Sequence, residues 1–181
     1  MNLHVCPSSL SSILDNYIRK KIHNPEKILS EYIKPGYTVV DIGCGPGYFS
    51  IPMANMVGKE GKVISVDLQE PMLLKLKSKA INKKIEDRIK LINCEVNDIK
   101  VEEKADFILT FWMVHEVDDV ARLFQQIVKI MKPGAIYLFS EPKIHVPKKK
   151  YQDTLNIAKS VGLKPKNEVA IRFSRSIVFT L

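Results

Sequence analysis

The sequence lacks an apolar run long enough to cross a membrane. No stretch approaches the roughly 18 consecutive apolar residues that a spanning helix needs. The first seven residues also lack the basic segment and apolar core of a secretory signal. Of the 181 residues, 45% are hydrophobic and 27% charged, an ordinary balance for a globular domain. We therefore expect a single compact domain in the cytoplasm, without a membrane partner.

Cysteine is scarce. Cys6, Cys44 and Cys94 are an odd number without C-x-x-C spacing, which indicates neither a disulfide framework nor a zinc site. Cys44 lies between glycines, where a small side chain is wanted, and Cys94 follows an apolar run. We expect these thiols to act as small apolar residues, and we predict no metal site.

Positive charge is in excess, with a net charge of +8 and a pI of about 9.3. This balance admits an acidic partner, including nucleic acid. However, the lysines are spread along presumed helix faces and loops, and the densest cluster is only Lys148–Lys150. A solvated basic surface is therefore favoured over nucleic-acid binding, and we expect a monomer or a homodimer.

The most informative stretch is residues 37–50. Residues 38–42 form an apolar, β-branched run, the composition of a strand buried on both faces. Glycines follow at alternate positions, Gly43, Gly45 and Gly47, and then an apolar pattern compatible with a helix. In a strand, turn and helix of this kind, backbone passes close to a bound nucleotide. Glycine is needed there because a Cβ would block that approach and the positive φ values.

The glycine spacing separates this turn from the dinucleotide fingerprint G-x-G-x-x-G. The pattern here is D-x-G-x-G-x-G, beginning at Asp41 and with Pro46 inside the loop. An acidic residue that ends the next apolar run, Asp67, follows Gly47 by 20 residues. This combination resembles the first motif of the class I S-adenosylmethionine (SAM)-dependent methyltransferases.

The resemblance covers about residues 25–181 and implies SAM as cofactor and methyl transfer as activity. It also implies an α/β fold: a Rossmann-like doubly wound sheet of about seven strands, mostly parallel with an antiparallel last strand, and helices on both faces. Residues 1–34 are expected to be a helical cap in two pieces over the SAM site, and 35–181 the SAM-binding domain. Strands are expected at 38–42, 62–67, 87–98 with its exit loop, 105–111, 135–141, 164–173 and 176–181, and helices from Pro71, from Asp118–Asp119 and over 148–161.

The resemblance also implies which residues hold SAM. Asp41 suits the positive end of the amino-acid tail. Asp67 can accept hydrogen bonds from both ribose hydroxyls, although a helix N-cap would fit the same position. The implied cofactor set is Asp41, Gly43, Cys44, Gly45, Gly47, Asp67, Leu68, Met72, Glu95, Val96 and Phe111.

The adenine contacts are expected after the third strand. By register they fall to Glu95 for the amino group and to the backbone N–H of Val96 for a ring nitrogen. The family residue is usually aspartate, so Glu95 is a departure, and Asn97 or Asp98 could substitute. Met72 is often near the adenosine in this family, although a lone methionine also fits a core.

The block from Ala105 to Val117 resembles the small-molecule branch of the family, including quinone-biosynthesis methyltransferases. The Asn/Asp-Pro-Pro-aromatic motif of amino-directed methyltransferases is absent, which argues against adenine or glutamine acceptors. We therefore expect a small-molecule acceptor. Transfer is an in-line displacement in which the enzyme contributes mainly positioning and exclusion of water.

An oxygen or nitrogen acceptor that binds protonated would also need a base. The candidates expected at the carboxyl edge of the sheet are His115, Glu116, Glu141 and His145. His145 and Glu141 are the leading pair, because two titratable groups converge at the C-terminal mouth of the fifth strand. Packing, a helix N-terminal charge or loop hydrogen bonding would explain the same residues.

Three other functions stay open at this point. The chain could be a SAM-binding subunit that is non-catalytic or needs a partner, or an RNA or protein methyltransferase. It could also be an NAD-dependent oxidoreductase, although its third glycine is one residue early. Tyr17 and Lys21 have the Y-x-x-x-K spacing of short-chain dehydrogenases, but they precede the glycine turn.

Overall fold

A seven-stranded sheet forms the centre of the computed structural model, which describes residues 22–181. Its order is β3-β2-β1-β4-β5-β7-β6. Strands β1 to β5 run parallel, and β7 is antiparallel to both β5 and β6. The predicted fold class is confirmed. The strands are β1 Thr38–Ile42, β2 Lys62–Asp67, β3 Ile89–Asn93, β4 Ala105–Phe111, β5 Met131–Pro142, β6 Lys164–Glu168 and β7 Ser174–Thr180.

In residues 22–181, five α-helices and two short 3₁₀ turns, Glu86–Arg88 and Val114–Glu116, accompany the strands. Two of the helices are capped by side chains: Asn24 accepts the N–H of Lys27, and Asp119, at the helix start expected from the sequence, accepts that of Arg122. The first piece of the expected N-terminal cap lies outside the described residues. The helices are α1 Pro25–Leu29, α2 Ser50–Val57, α3 Glu70–Asn82, α4 Val120–Ile130 and α5 Lys148–Ser160.

Two apolar cores lie on opposite faces of the sheet, because neighbouring residues of a strand point to opposite sides. Val40 belongs to the core formed with α4 and α5, and Val39 to the core formed with α1 and α2. Both valines are fully buried, as expected for a strand covered on both faces. None of the helices in residues 22–181 is long and apolar enough to cross a membrane.

Some bounds differ from those expected. Strand β5 begins at Met131 rather than at Ala135, because its pairing with β4 shifts from Ala105↔Met131 to Phe107↔Ile136. Strand β6 ends at Glu168 instead of continuing to residue 173. The chain turns there, with the N–H of Ser174 on the carbonyl of Ile171 and a positive φ of 59° at Phe173.

The sheet order places the ligand-binding edge. From β1 the chain moves outward through β2 to β3, then crosses back to β4 on the other side of β1. The segments that follow the adjacent strands β1 and β4 therefore run in opposite directions along the sheet. This leaves a crevice between the two loops, where a ligand can bind.

We expect a buried hydroxyl pair to stabilise the fold. The hydroxyl of Tyr137, which is fully buried, lies 2.7 Å from Thr110 Oγ1, and burial raises the pKa of Tyr137. Tyr137→Phe should lower the free energy of unfolding by about 1–2 kcal/mol, because it removes a partner from a buried hydroxyl. In urea denaturation, Thr110→Val with Tyr137→Phe should cost less than the two single changes summed. Strict additivity would show that the two hydroxyls are not coupled.

Candidate active site

A cavity of about 870 Å³ opens at the carboxyl ends of the parallel strands. All the residues that the resemblance implies for SAM line it except Gly47. His115, Glu116 and His145 line it as well, whereas Glu141 lies behind the wall. The sheet therefore brings together side chains that are more than 100 residues apart in the sequence, such as Asp41 and His145.

The three glycines of the turn have positive φ values of 72°, 53° and 90°, but they meet different surroundings. A Cβ on Gly43 would lie 2.8 Å from Cγ of Met113, and one on Gly47 would overlap Leu76. A Cβ on Gly45 would meet no atom within 4 Å. Gly43 and Gly47 therefore permit close packing, while Gly45 borders the open cavity.

Asp67, at the end of β2, is hydrogen-bonded to the glycine turn. Its Oδ2 accepts the N–H of Gly45 at 2.8 Å, and its Oδ1 accepts the N–H of Gln69 at 2.9 Å. Burial raises the pKa of Asp67, and the backbone N–H groups oppose that shift. The cap position of α3 is Gln69, so Asp67 is not the N-cap that the sequence allowed.

The backbone after Asp67 is fixed by a residue that sequence reasoning missed. The side-chain amide of Asn93, at the end of β3, donates to the carbonyls of Asp67 and Leu68 at 3.1 and 3.0 Å. Asparagine at a strand end is the available signal, but its partners depend on the pairing of β2 with β3.

Asp41 is anchored by Ser50, which is in turn bonded to Ser65, and no sequence pattern indicated either serine. Asp41 is 2% exposed, and its Oδ2 accepts the hydroxyl of Ser50 at 2.6 Å. The hydroxyl of Ser65 in turn donates to Ser50 Oγ at 2.9 Å. These buried bonds hold the carboxylate in one orientation at the cavity wall.

The loop after β3 forms the exposed rim. Glu95 and Asp98 exchange backbone hydrogen bonds of 2.9 and 3.2 Å, which close a narrow turn. The carboxylate of Glu95 is paired with Lys100 at 2.7 Å, and the Glu95 side chain is 71% exposed. Val96 is half exposed. The assignment of adenine to this loop stays a prediction.

The two described cysteines are apolar in character. Burial raises the pKa of Cys44 well above its usual value, and the nearby carboxylates of Asp41 and Asp67 add to the shift. Burial likewise raises the pKa of Cys94 to about 11. Both thiols are protonated at neutral pH and resist ionisation.

Glu141 pairs with His115 rather than with His145, the partner expected from the sequence. Its Oε2 lies 2.6 Å from His115 Nδ1, and its Oε1 accepts the N–H of Val114 at 3.0 Å. The physical reason is the sheet: Phe111 pairs with Ser140, so the turn after β4 lies beside the end of β5. The His145 ring is parallel to that of His115, with centroids 6.1 Å apart.

An aromatic wall, formed by Phe49, Phe111 and Trp112, lines part of the same cavity. Phe111 contacts Phe49 at 4.5 Å and Trp112 at 5.4 Å between ring centroids. Trp112 has a positive φ of 60°, and its indole N–H donates to Ser174 at 2.9 Å. His23 packs edge-on against Trp112 at 4.8 Å, so the described N-terminal residues contact this wall. No sequence signal indicated the left-handed backbone at Trp112.

Comparison with known proteins gives a consistent result. Residues 33–170 match a family model described as a methyltransferase domain. The demethylmenaquinone methyltransferase of Oceanobacillus iheyensis is 25% identical over 134 residues, which are 74% of this chain and 56% of that protein. The chain thus spans about half the length of the curated relatives it matches.

Solved structures agree. A SAM-dependent methyltransferase from Aquifex aeolicus superposes with a TM-score of 0.86 at 25% identity, covering 97% of this chain and 98% of that one. Fibrillarin from Aeropyrum pernix, crystallised with natively bound SAM, shares the fold with a TM-score of 0.65 at 16% identity, covering 82% of this chain and 68% of that one. The chain therefore belongs to the class I SAM-dependent methyltransferase family, whose methyl donor is SAM.

Proposed function

We propose that this chain transfers the methyl group of SAM to a small-molecule acceptor bound in the same cavity. The observation that carries the proposal is the link between Asp67 and the glycine turn. A buried carboxylate is hydrogen-bonded to Gly45 N–H, at a point where the missing Cβ leaves the cavity open. An acidic group and exposed backbone beside each other suit a ligand with several hydroxyl donors.

The residues at the cavity wall fit SAM. Each Asp67 oxygen accepts one backbone N–H and retains a lone pair for a ribose hydroxyl. The Asp41 carboxylate, held by Ser50, would attract the ammonium group of the amino-acid tail. Met72, which is almost fully buried at the wall, would contact the adenosine from one side.

The rim loop would complete the adenine site. Val96 offers a backbone N–H, and Glu95 offers a carboxylate now paired with Lys100. Exposed ion pairs contribute about 1 kcal/mol or less, so the Glu95 side chain can exchange Lys100 for an adenine amino group at little cost. This contact should therefore contribute less to affinity than Asp67.

Methyl transfer from SAM depends more on how the acceptor is positioned than on catalytic functional groups. Bound SAM would supply an electrophilic methyl group, open to in-line attack by an acceptor. The chain would hold the acceptor in line and keep water away, and the wall of Phe49, Phe111 and Trp112 suits both tasks.

Several features support a small, flat acceptor. A volume of about 870 Å³ lies within the range of small-molecule pockets, roughly 300–1,000 Å³. Aromatic side chains favour stacking against a ring. The curated relatives carry the name of one small-molecule acceptor, demethylmenaquinone.

Asp67→Ala should weaken SAM binding by about 10–100-fold, the effect of losing hydrogen bonds to a charged group worth about 1.5–3 kcal/mol. Glu95→Ala should weaken it by only about 3–10-fold, because its contact replaces an exposed ion pair. Isothermal titration with SAM measures both. Equal affinity of Asp67→Ala and the unmodified chain would contradict the assignment of the ribose.

Gly45→Ala should separate a ligand effect from a backbone effect. Gly36 is a matched control, because it also has a positive φ, 82°, and open space at its Cβ position, yet it lies outside the cavity. Both changes should lower the free energy of unfolding by about 1–2 kcal/mol. Only Gly45→Ala should reduce SAM affinity in the titration. A similar loss in both variants would show that the methyl group at residue 45 does not reach the ligand.

Methyl transfer itself is tested with labelled SAM and naphthohydroquinone, a small hydroxyaromatic probe. The expected result is one equivalent of S-adenosylhomocysteine per methylated product, at a rate above the enzyme-free reaction. Dithiothreitol serves as a thiol comparison. SAM binding without transfer to either probe or to a wider metabolite panel would favour a non-catalytic or partner-dependent subunit.

A further inference from the structure

We infer that His115 and Glu141 form a proton-accepting pair, and that the acceptor carries a weakly acidic hydroxyl on an aromatic or enolic framework. His115 is the catalytic base and Glu141 its positioning residue. The inference rests on the proposed function, because it names the chemical class of acceptor for the same cavity. It follows from the geometry of the pair, from its surroundings and from the aromatic wall that lines the same cavity.

The two oxygens of Glu141 have separate partners. Oε1 accepts the N–H of Val114, and Oε2 faces Nδ1 of His115 at 2.6 Å. An ionised carboxylate can only accept hydrogen bonds, so Nδ1 must carry the proton of the neutral ring. Nε2 is then the nitrogen with a lone pair. His115 lines the cavity and is 18% exposed, which places the basic ring where an acceptor would bind.

The surroundings of Glu141 favour a cationic neighbour. The carboxylate is 2% exposed, and a buried carboxylate is costly unless a positive group balances it. Tyr137 and Tyr151 also face it; burial raises the pKa of both phenols, and the charge of Glu141 contributes. Arg175, opposite Glu141 in the sheet, donates to the carbonyl of Val146. An imidazolium at His115 would add a positive charge in direct contact with the carboxylate.

Other charged or titratable groups near His115 belong to three segments. Lys150 on α5 lies 3.4 Å from the His115 carbonyl oxygen. His145, in the loop after β5, lies parallel at 6.1 Å, and Glu116 follows in the same 3₁₀ turn. Of these groups, the Glu141 carboxylate is the one in direct contact with the His115 ring, so its electrostatic interaction with the ring is the strongest.

The proton balance selects the acceptor class. The acceptor's O–H bond breaks, and its proton goes to Nε2 of His115. The electron pair left on oxygen, or on the conjugated ring carbon, forms the bond to the methyl carbon, and the pair of the broken C–S bond stays on sulfur. One proton leaves the acceptor in either case and passes from His115 to solvent. A thiol ionises more readily than a phenolic hydroxyl, with ordinary pKa values of about 8.5 and about 10, so it needs such a base less.

Glu141→Gln tests the pair with a minimal change in shape. The N–H of Val114 needs an acceptor, so the amide oxygen should take the place of Oε1. The amide NH₂ then faces His115 Nδ1 and donates to it. This arrangement moves the ring proton to Nε2, and the ring can no longer accept a proton from the cavity.

The ring proton can be located without any turnover, by long-range proton–nitrogen NMR of the labelled chain, with His115→Gln to assign the signal. We expect the neutral ring of His115 to be protonated at Nδ1 in the unmodified chain and at Nε2 in Glu141→Gln. Protonation at Nε2 in the unmodified chain would overturn the inference, whatever the variant does.

The kinetic test uses naphthohydroquinone and dithiothreitol as acceptors with saturating SAM. Glu141→Gln and His115→Gln should lower kcat for the hydroquinone by about 10²–10⁴-fold, with little change for the thiol and with unchanged SAM affinity. Asp118→Asn is the matched control: it removes a carboxylate from the same cavity wall and should change kcat by less than about threefold. His145→Asn should cause a smaller loss than His115→Gln, because His145 does not face Glu141.

The outcomes are distinguishable. If the unmodified chain does not bind SAM, the proposed function fails. If it binds SAM and methylates the hydroquinone, but Glu141→Gln does so equally well, only the inference about the pair fails. Equal losses with hydroquinone and thiol would also overturn it, because a general disturbance of the cavity affects both acceptors.

Discussion

The hydrogen bond from Gly45 N–H to the carboxylate of Asp67 is the constraint on which the cavity depends. It joins the ends of β1 and β2 across 22 residues of sequence. The glycine turn is also bonded to the backbone of β2, since the N–H groups of Gly43 and Cys44 donate to the carbonyl of Val66 at 2.8 and 3.0 Å. The carboxylate then holds the middle of the turn. Burial disfavours its charge, and backbone N–H groups offset part of that cost. A ligand that donates further hydroxyl groups would offset more of it, so the site is organised before any ligand arrives.

The same turn shows how one motif meets two demands. Gly43 and Gly47 lack a Cβ at the points where the side chains of Met113 and Leu76 pack against the turn. These contacts belong to packing and keep the turn close to α3 and to the segment after β4. Of the three, only Gly45 has open space at its Cβ position. A glycine-rich turn can therefore combine glycines needed for packing with a glycine at the ligand. The sequence does not separate the two kinds, because only the atoms around each glycine in the fold show which of them faces a ligand.

Sequence patterns predicted the sheet and the residues that line the cavity better than the contacts which the residues after β4 and β5 make with each other. Some features depend on local sequence alone, so they can be predicted from short stretches of the chain. These are strands buried on both faces, turn glycines, and helix starts such as Asn24 and Asp119. The pairing of His115 with Glu141 depends on the register between β4 and β5 and on a turn 26 residues earlier. The hydrogen bond from Ser50 to Asp41, the positive φ of Trp112 and the shifted start of β5 likewise follow from tertiary contacts.

The two sides of the site come from different halves of the sheet. Apart from Phe111, which ends β4, the residues proposed for SAM lie near the ends of β1 and β2 or follow β1, β2 and β3. Glu141 lies near the end of β5, and His115 and His145 follow β4 and β5. The crossover at β1 and β4 is the seam between them. The turn after β1 is held to β2 both by backbone bonds to the carbonyl of Val66 and by the side chain of Asp67. The loops after β4 and β5 are held by side-chain contacts, such as Glu141 with Val114 N–H. Under the proposed assignments, substitutions in the loops after β4 and β5 would change the acceptor contacts while the SAM contacts stay in place, so we seek the identity of the acceptor in these loops.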